Sequence, residues 1–139
     1  MPLRYYRKKR KVNINGVTVE KFIPELDKQE TIGIEKIAEV IEKNSTLSKG
    51  DLINAFYQML DVAETFLLEG HKVDFSPFGT FTPSINASAC DSPEEVTTKT
   101  IKRFYPIYKP SVYLKEKFKQ AEFRLGDNKV REVKKRKKD

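Results

Sequence analysis

An α+β fold follows from three patterns in the chain. Apolar residues recur at helical spacing between Ile34 and Leu67, and apolar and polar residues alternate on both sides of an Asn-Gly pair near the start. A polar stretch of strand composition, residues 85–105, is broken by turn residues. Helical periodicity and two-residue alternation in one chain of this length predict helices packed on a small antiparallel sheet.

Leu3 to Val12 mixes Tyr5 and Tyr6 with long basic side chains, and Val17 to Ile23 alternates Val17 and Val19 with Thr18, Glu20 and Phe22. Between them Asn15-Gly16 accepts the positive backbone angles of a tight turn, so residues 1–30 read as an N-terminal β-hairpin extension ending in a polar connection. From Thr31, Ile34, Ile37, Ala38 and Ile41 share one helical face opposite Glu35, Lys36, Glu39, Glu42 and Lys43, and this helix should stop near Asn44. Ser48 with Asp51 three residues later marks a second helix start, a capping box in its Asp form. Its apolar face runs Leu52, Phe56, Met59, Leu60, Ala63, Phe66 and Leu67, and Gly70 is the expected stop.

Lys72 to Phe81 reads as one strand bent at Ser76-Pro77, because Val73, Phe75, Phe78 and Phe81 supply apolar positions around the break. Ile85 to Tyr105 reads as a long hairpin that turns at Asp91-Ser92-Pro93 and returns over Val96 to Tyr105. Such a hairpin has little to bury and must lie against a partner or project into solvent. Pro110 suits the first turn of a third helix, where Val112, Leu114, Phe118 and Ala121 offer apolar contacts. Phe123 and Leu125 can form a short edge strand. The domain division expected is 1–30, 31–125 and a basic disordered tail over 126–139.

Composition narrows the function. With 139 residues, 38% hydrophobic and 34% charged, and a mean hydropathy of -0.60, the chain suits one domain that shares its core with a second copy. No run approaches the roughly 18 apolar residues of a membrane span, and the basic start lacks a following apolar run, so neither a membrane nor a secreted protein is expected. Cys90 is the only cysteine, which rules out an intrachain disulfide framework or a cysteine-clustered metal site and points to a reducing cytoplasm. The formal net charge is +7, but its placement says more. Residues 1–11 carry +6 and 129–139 carry +5, whereas 12–128 hold 14 basic and 18 acidic side chains. Clustered Lys and Arg attract polyanions, because neutralised phosphates release condensed counterions; the same tails are equally consistent with solvated, disordered ends.

No phosphate-cradling glycine loop, nucleophile elbow or metal-ligand cluster is present, and the acidic pairs sit on helix faces as solvated charge. Catalytic residues, metal, cofactor and small-molecule substrate are therefore not expected. His71 follows a helix-ending glycine without a catalytic constellation, and Cys90 is either a reactive thiol or an inert loop position.

Ser76 to Phe81 and Tyr105 to Ser111 are two short motifs that resemble those of the HU and integration-host-factor family of bacterial DNA-bending proteins. Ser76-Pro77-Phe78-Gly79-Thr80-Phe81 is similar to the family's Gly-Phe-Gly-x-Phe turn, with Pro77 in place of the first glycine. Tyr105-Pro106-Ile107-Tyr108-Lys109-Pro110-Ser111 is similar to its Pro-x-Phe-Lys-Pro-Gly signature before the last helix. Thr46-Leu47-Ser48-Lys49-Gly50-Asp51-Leu52 resembles the turn between its first two helices, and Gly70-His71-Lys72-Val73 its entry into the first strand. The opening Tyr-Tyr and basic strand resemble a Bacteroidetes HU-like variant subgroup.

The resemblance implies an intertwined dimer, with helices under a short antiparallel sheet and protruding β-arms. The dimer would be formed with an identical chain or a paralogue, jointly burying Phe56, Met59, Phe66, Phe75, Phe78 and Phe81. It further implies architectural binding of double-stranded DNA at the cytoplasmic nucleoid, with condensation of the DNA. The contacts implied are Gly79, Thr80, Pro93, Lys99, Lys102, Arg103, Lys109 and Lys115, together with the termini. Gly79 and Thr80 can alternatively serve only as a bend that lets Phe78 and Phe81 into the core. Pro93 matches the family's wedge proline, yet Asp91, Glu94 and Glu95 surround it, and a turn proline is the alternative. An HU-shaped interaction or scaffold module with little DNA bending is the competing reading.

Overall fold

The computed structural model describes residues 1–132. The chain runs β1 (Leu3–Ile14), β2 (Val17–Leu26), α1 (Ile34–Asn44), α2 (Lys49–Leu68), β3 (Val73–Phe75), β4 (Gly79–Ala87), β5 (Ile101–Pro110), α3 (Val112–Lys119) and β6 (Phe123–Glu132). It is a mixed α+β fold with two three-stranded sheets, ordered β2-β1-β6 and β3-β4-β5. It divides into two compact units, one of residues 1–31 with the chain from Lys119 on, the other Ile32–Phe118.

In the first unit the Asn15-Gly16 turn adopts φ 51° and 81°, values suited to a two-residue hairpin, and pairs β1 with β2 from Ile14–Val17 to Tyr5–Leu26. β6 runs parallel to β1, matching Leu3 with Phe123 and, past a bulge between Tyr5 and Arg7, Lys8 with Arg131. Residues 126–132, expected to begin a disordered tail, thus belong to a ten-residue edge strand. The unpaired edge of β1 accepts a chain that Gly126-Asp127 had suggested was ending. Residues 133–139 lie outside the described residues. Tyr6 is buried here: Gly126 approaches its ring, and the Arg131 guanidinium lies 3.4 Å from the ring centroid. Lys8 donates to Glu25 at 2.8 Å and holds that carboxyl below its usual range. Glu20, hydrogen-bonded to Lys9, raises the Lys9 ammonium above its ordinary value.

In the second unit α1 starts three residues later than its periodicity suggests, at Ile34 after Gly33, and fully buries Ala38. Lys36 holds the Glu39 carboxyl low. Ser48 caps α2 as expected, its Oγ accepting from Asp51 N at 3.1 Å and donating to Asp51 Oδ2 at 2.8 Å. At the other end Gly70 takes φ 90°, and His71 N donates to Phe66 O at 3.0 Å, closing the helix in a left-handed cap.

Three strand expectations need correction. Lys72–Phe81 is a tight hairpin, β3 to β4, and not one bent strand: the Asp74 carboxylate accepts from Ser76 N at 2.9 Å and Ser76 Oγ at 2.6 Å, folding the chain back. The return strand is Ile101–Pro110 and not Val96–Tyr105. Residues Pro93–Glu95 and Thr98–Thr100 form 3-10 turns, and the ladder tolerates Pro106 and Pro110 because β5 is an edge. Pro110 ends β5 and does not enter α3.

Among the described residues the only buried hydrophobic ones are Tyr6, Ala38 and Ala63. Of the set expected to be buried jointly, Phe56, Phe75 and Phe81 are half-buried, whereas Met59 is 47% exposed, Phe66 48% and Phe78 57%. An open apolar groove of about 410 Å³ lies between α2, at Leu60, Ala63 and Leu67, and the sheet, at Phe75, Phe81 and Phe104.

Gly79 is where the sheet is tightest. A Cβ there would stand 2.4 Å from Lys109 O and 2.6 Å from Tyr108 Cε2, inside van der Waals contact. Gly79→Ala is therefore expected to destabilise the fold by about 1–3 kcal/mol, the usual cost of overpacking, read as a lower urea midpoint at unchanged slope.

Candidate nucleic-acid interface

The two sequence motifs, some thirty residues apart, meet in space. The β3–β4 turn is closed by Phe78 N donating to Phe75 O at 2.8 Å, and its outer carbonyls are taken up by the end of β5. Tyr108 Oη donates to Phe78 O at 3.0 Å, Ser111 N donates to the same oxygen at 3.2 Å, and Ser111 Oγ donates to Pro77 O. The Tyr108 ring stacks on Phe78 with centroids 5.4 Å apart and meets Phe81 at 5.2 Å. Ser111 also starts α3, its hydroxyl accepting from Leu114 N at 3.1 Å. This joint sets the register of β4 on β5 and the starting point of the last helix.

That register separates the sheet into two chemistries. Paired residues share a face and successive residues alternate. One face carries Val73, Phe75, Phe81, Pro83, Ile85, Phe104, Pro106 and Tyr108, and it is the face turned to α2. The other carries Thr80, Thr82, Ser84 and Asn86 on β4, opposite Lys109, Ile107, Tyr105 and Arg103 on β5. Small hydroxyl and amide side chains beside cations are suited to phosphate and sugar contacts, and short enough to let a wide ligand approach the backbone.

Of the residues expected at the interface, the structure pairs Thr80 with Lys109 and sets Arg103 opposite Asn86. The Arg103 guanidinium lies 4.3 Å from the Tyr105 ring centroid, which holds it along the strand. Lys102 is the extra residue of a β-bulge, since Asn86 pairs with Arg103 and Ala87 with Ile101; a bulge re-aims the side chain it carries. Gly79 is buried in the sheet, opposite Phe75 and Pro110. Pro93 and Lys99 lie in the two 3-10 turns beyond the ladder, and Lys115 lies on α3, so these three are not brought into the paired rows. Lys99, Lys102, Arg103, Lys109 and Lys115 make no ion pair among the described residues and are free for an outside anion. Thr82, Ser84 and Asn86 were not expected at the face. Their signal was the strict polar alternation along 80–86, which a search for basic residues passes over.

The hairpin tip is different in sign. Ser88 N donates to Thr100 O at 3.0 Å and closes it, and within it Asp91 N donates to Glu95 Oε2 at 3.3 Å. Residues 88–100 carry three carboxylates, Asp91, Glu94 and Glu95, and one lysine, Lys99. Among the described residues no group of three or more His, Cys, Asp or Glu side chains could hold a metal ion. Nor is any described helix long and apolar enough to cross a membrane.

Two helices, a helix-backed sheet with one polar face, a two-stranded arm and a closing helix define an HU-type domain carrying an accessory sheet. The chain belongs to the HU-HIG family, described as an HU domain fused to wHTH, Ig or glycine-rich motifs, whose model matches residues 1–124. It is the family to which the two turn motifs point. The chain is also similar in fold to a solved candidate bacterial DNA-binding protein from Bacteroides vulgatus, at a TM-score of 0.57 and 17% identity. That similarity covers 94% of this chain and 50% of the other, so the chain spans about half the length of that relative. No curated protein matches the chain.

Proposed function

We propose that the chain is a non-catalytic, dimeric, largely sequence-independent architectural protein of double-stranded DNA, acting at the bacterial nucleoid. The observation that carries this reading is the polar sheet face, where Thr80–Lys109 and Asn86–Arg103 stand opposed in a member of the HU family. Unpaired Lys and Arg release counterions from phosphates, and no base-reading arrangement accompanies them, so affinity comes from charge and duplex shape. Lys102, Arg103 and Lys109 contact phosphates, Thr80 adds its hydroxyl, and Gly79 contributes by letting β5 close on β4. Lys99 and Lys115 extend the contact at either end. Pro93 sits among carboxylates that repel phosphate, so the tip adds less than the ladder.

Dimerisation follows from what one chain leaves uncovered. The groove beside α2 and the exposed Met59, Phe66 and Phe78 belong to the faces that HU-type partners share, and each such side chain, once buried, is worth roughly 1.5–3 kcal/mol. The acidic tip favours one second reading, an HU-shaped scaffold module that does not bend DNA; a duplex whose end-to-end distance is unchanged on binding would select it.

Duplex titrations at several salt concentrations should give log affinity falling linearly with log salt. Arg103→Gln/Lys109→Gln should flatten that slope by about 2 per engaged chain, at roughly 0.9 per phosphate. Absence of binding at low salt would end the proposal. Neutralising the tip with Asp91→Asn/Glu94→Gln/Glu95→Gln should tighten binding several-fold. Melting temperature should rise with protein concentration, as for any fold completed by its partner; a concentration-independent melt with monomer mass in light scattering would remove the dimer.

A further inference from the structure

The chain's positive charge does not reside in its HU-like unit. Residues 32–118 carry 10 basic and 12 acidic side chains, whereas residues 1–31 and 119–132 carry 12 basic and 7 acidic ones. Within the second group the sheet sorts the charge by face. On one side of β1 lie Tyr5, Arg7, Lys9 and Lys11, matched with Leu26, Pro24, Phe22 and Glu20 on β2 and, for the first three, with Leu125, Val130 and Glu132 on β6, so that three cations there meet two carboxylates. The opposite side carries Arg4, Lys8 and Arg10 on β1, Lys21 on β2, and Arg124 and Arg131 on β6.

The register then does something a free sheet should avoid. Arg10 stands opposite Lys21, Arg4 beside Arg124, and Lys8 beside Arg131: three neighbouring cation pairs on one face. Adjacent strands are about 4.8 Å apart, and like charges directly opposite each other destabilise a sheet. Internal neutralisation is partial. Asp27 pairs with Arg4 at 3.3 Å and Glu25 with Lys8 at 2.8 Å, while Arg131 is laid over Tyr6. Arg10, Lys21 and Arg124 are exposed and have no ion pair among the described residues. A local rule broken three times on one face marks a functional surface whose counter-charge comes from outside.

We propose that this face of the β2-β1-β6 sheet is a second phosphate-binding surface for duplex DNA, separate from the β4–β5 face and contributing more of the chain's electrostatic affinity. The choice of DNA as the polyanion rests on the function proposed above. A duplex fits better than a single strand because the face offers no free aromatic for base stacking: Tyr6, its one aromatic residue, is buried.

The test uses the full chain and fluorescence anisotropy of a labelled duplex over a salt series. Arg10→Gln/Lys21→Gln/Arg124→Gln should weaken binding at least tenfold at low salt and flatten the salt slope by about 2.7 per chain, three phosphates at roughly 0.9 each. Its melting temperature without DNA should equal or exceed that of the wild type, because like-charge pairs have been relieved. Should the triple variant fail to fold, Lys21→Gln alone, on an edge strand, should flatten the slope by about 0.9. A folded variant with unchanged affinity and slope, while Arg103→Gln/Lys109→Gln loses binding, overturns this inference and leaves the proposed function standing. A wild-type chain that binds no duplex overturns both. Stronger competition by duplex RNA or polyglutamate than by unlabelled duplex DNA would also overturn it.

Discussion

The second unit depends on how the β3–β4 turn is tied to the end of β5. Two carbonyls left over by the turn, of Pro77 and Phe78, are satisfied by Tyr108 and Ser111. Three hydrogen bonds and the Phe78–Tyr108 ring stack act together here, so the turn and the strand end separate only by losing all of them at once. Because Gly79 leaves no room beneath Lys109 and Tyr108, the two strands can close in only this register. A slip of one residue would turn Phe81 and Phe104 outward and Thr80 and Arg103 onto α2. The polar face is thus a consequence of the joint and not only of composition.

The apolar side of the same sheet is incomplete. α2 offers a continuous row of apolar residues, yet Ala63 alone among them is buried, and the groove beside it is open. A helix and a sheet that leave Met59, Phe66 and Phe78 near half exposure have aligned their faces without closing a core. Small chains usually meet that shortage with a disulfide, a metal or a partner. The open groove and these half-exposed side chains are the surface that the proposed partner would cover.

Charge follows a third logic. The HU-like unit is slightly acidic as a whole, with three of its ten cations, Lys102, Arg103 and Lys109, on β5, while six arginines and lysines of the accessory sheet share one face. Parallel pairing of β6 with β1 creates this face, because it brings Arg124 and Arg131 beside Arg4 and Lys8 from more than a hundred residues away.

The helices, the caps of α2 and the Asn-Gly hairpin were legible from the sequence alone, since each rests on contacts within a few residues: Ser48 with Asp51, Gly70 with Leu67, Asn15 with Gly16. The family was legible too, through two turn motifs whose residues serve local geometry. What escaped was non-local. Gly126-Asp127 looked like a chain ending because nothing nearby announces that the free edge of β1 will accept β6. Val96 looked like strand, yet two 3-10 turns occupy that stretch and β5 pairs with β4 only from Ile101, opposite Ala87. The partners of the candidate site, Thr80 with Lys109 and Arg10 with Lys21, are likewise decided by cross-strand register. Register is a property of two segments closing together, and tertiary structure alone supplies the second.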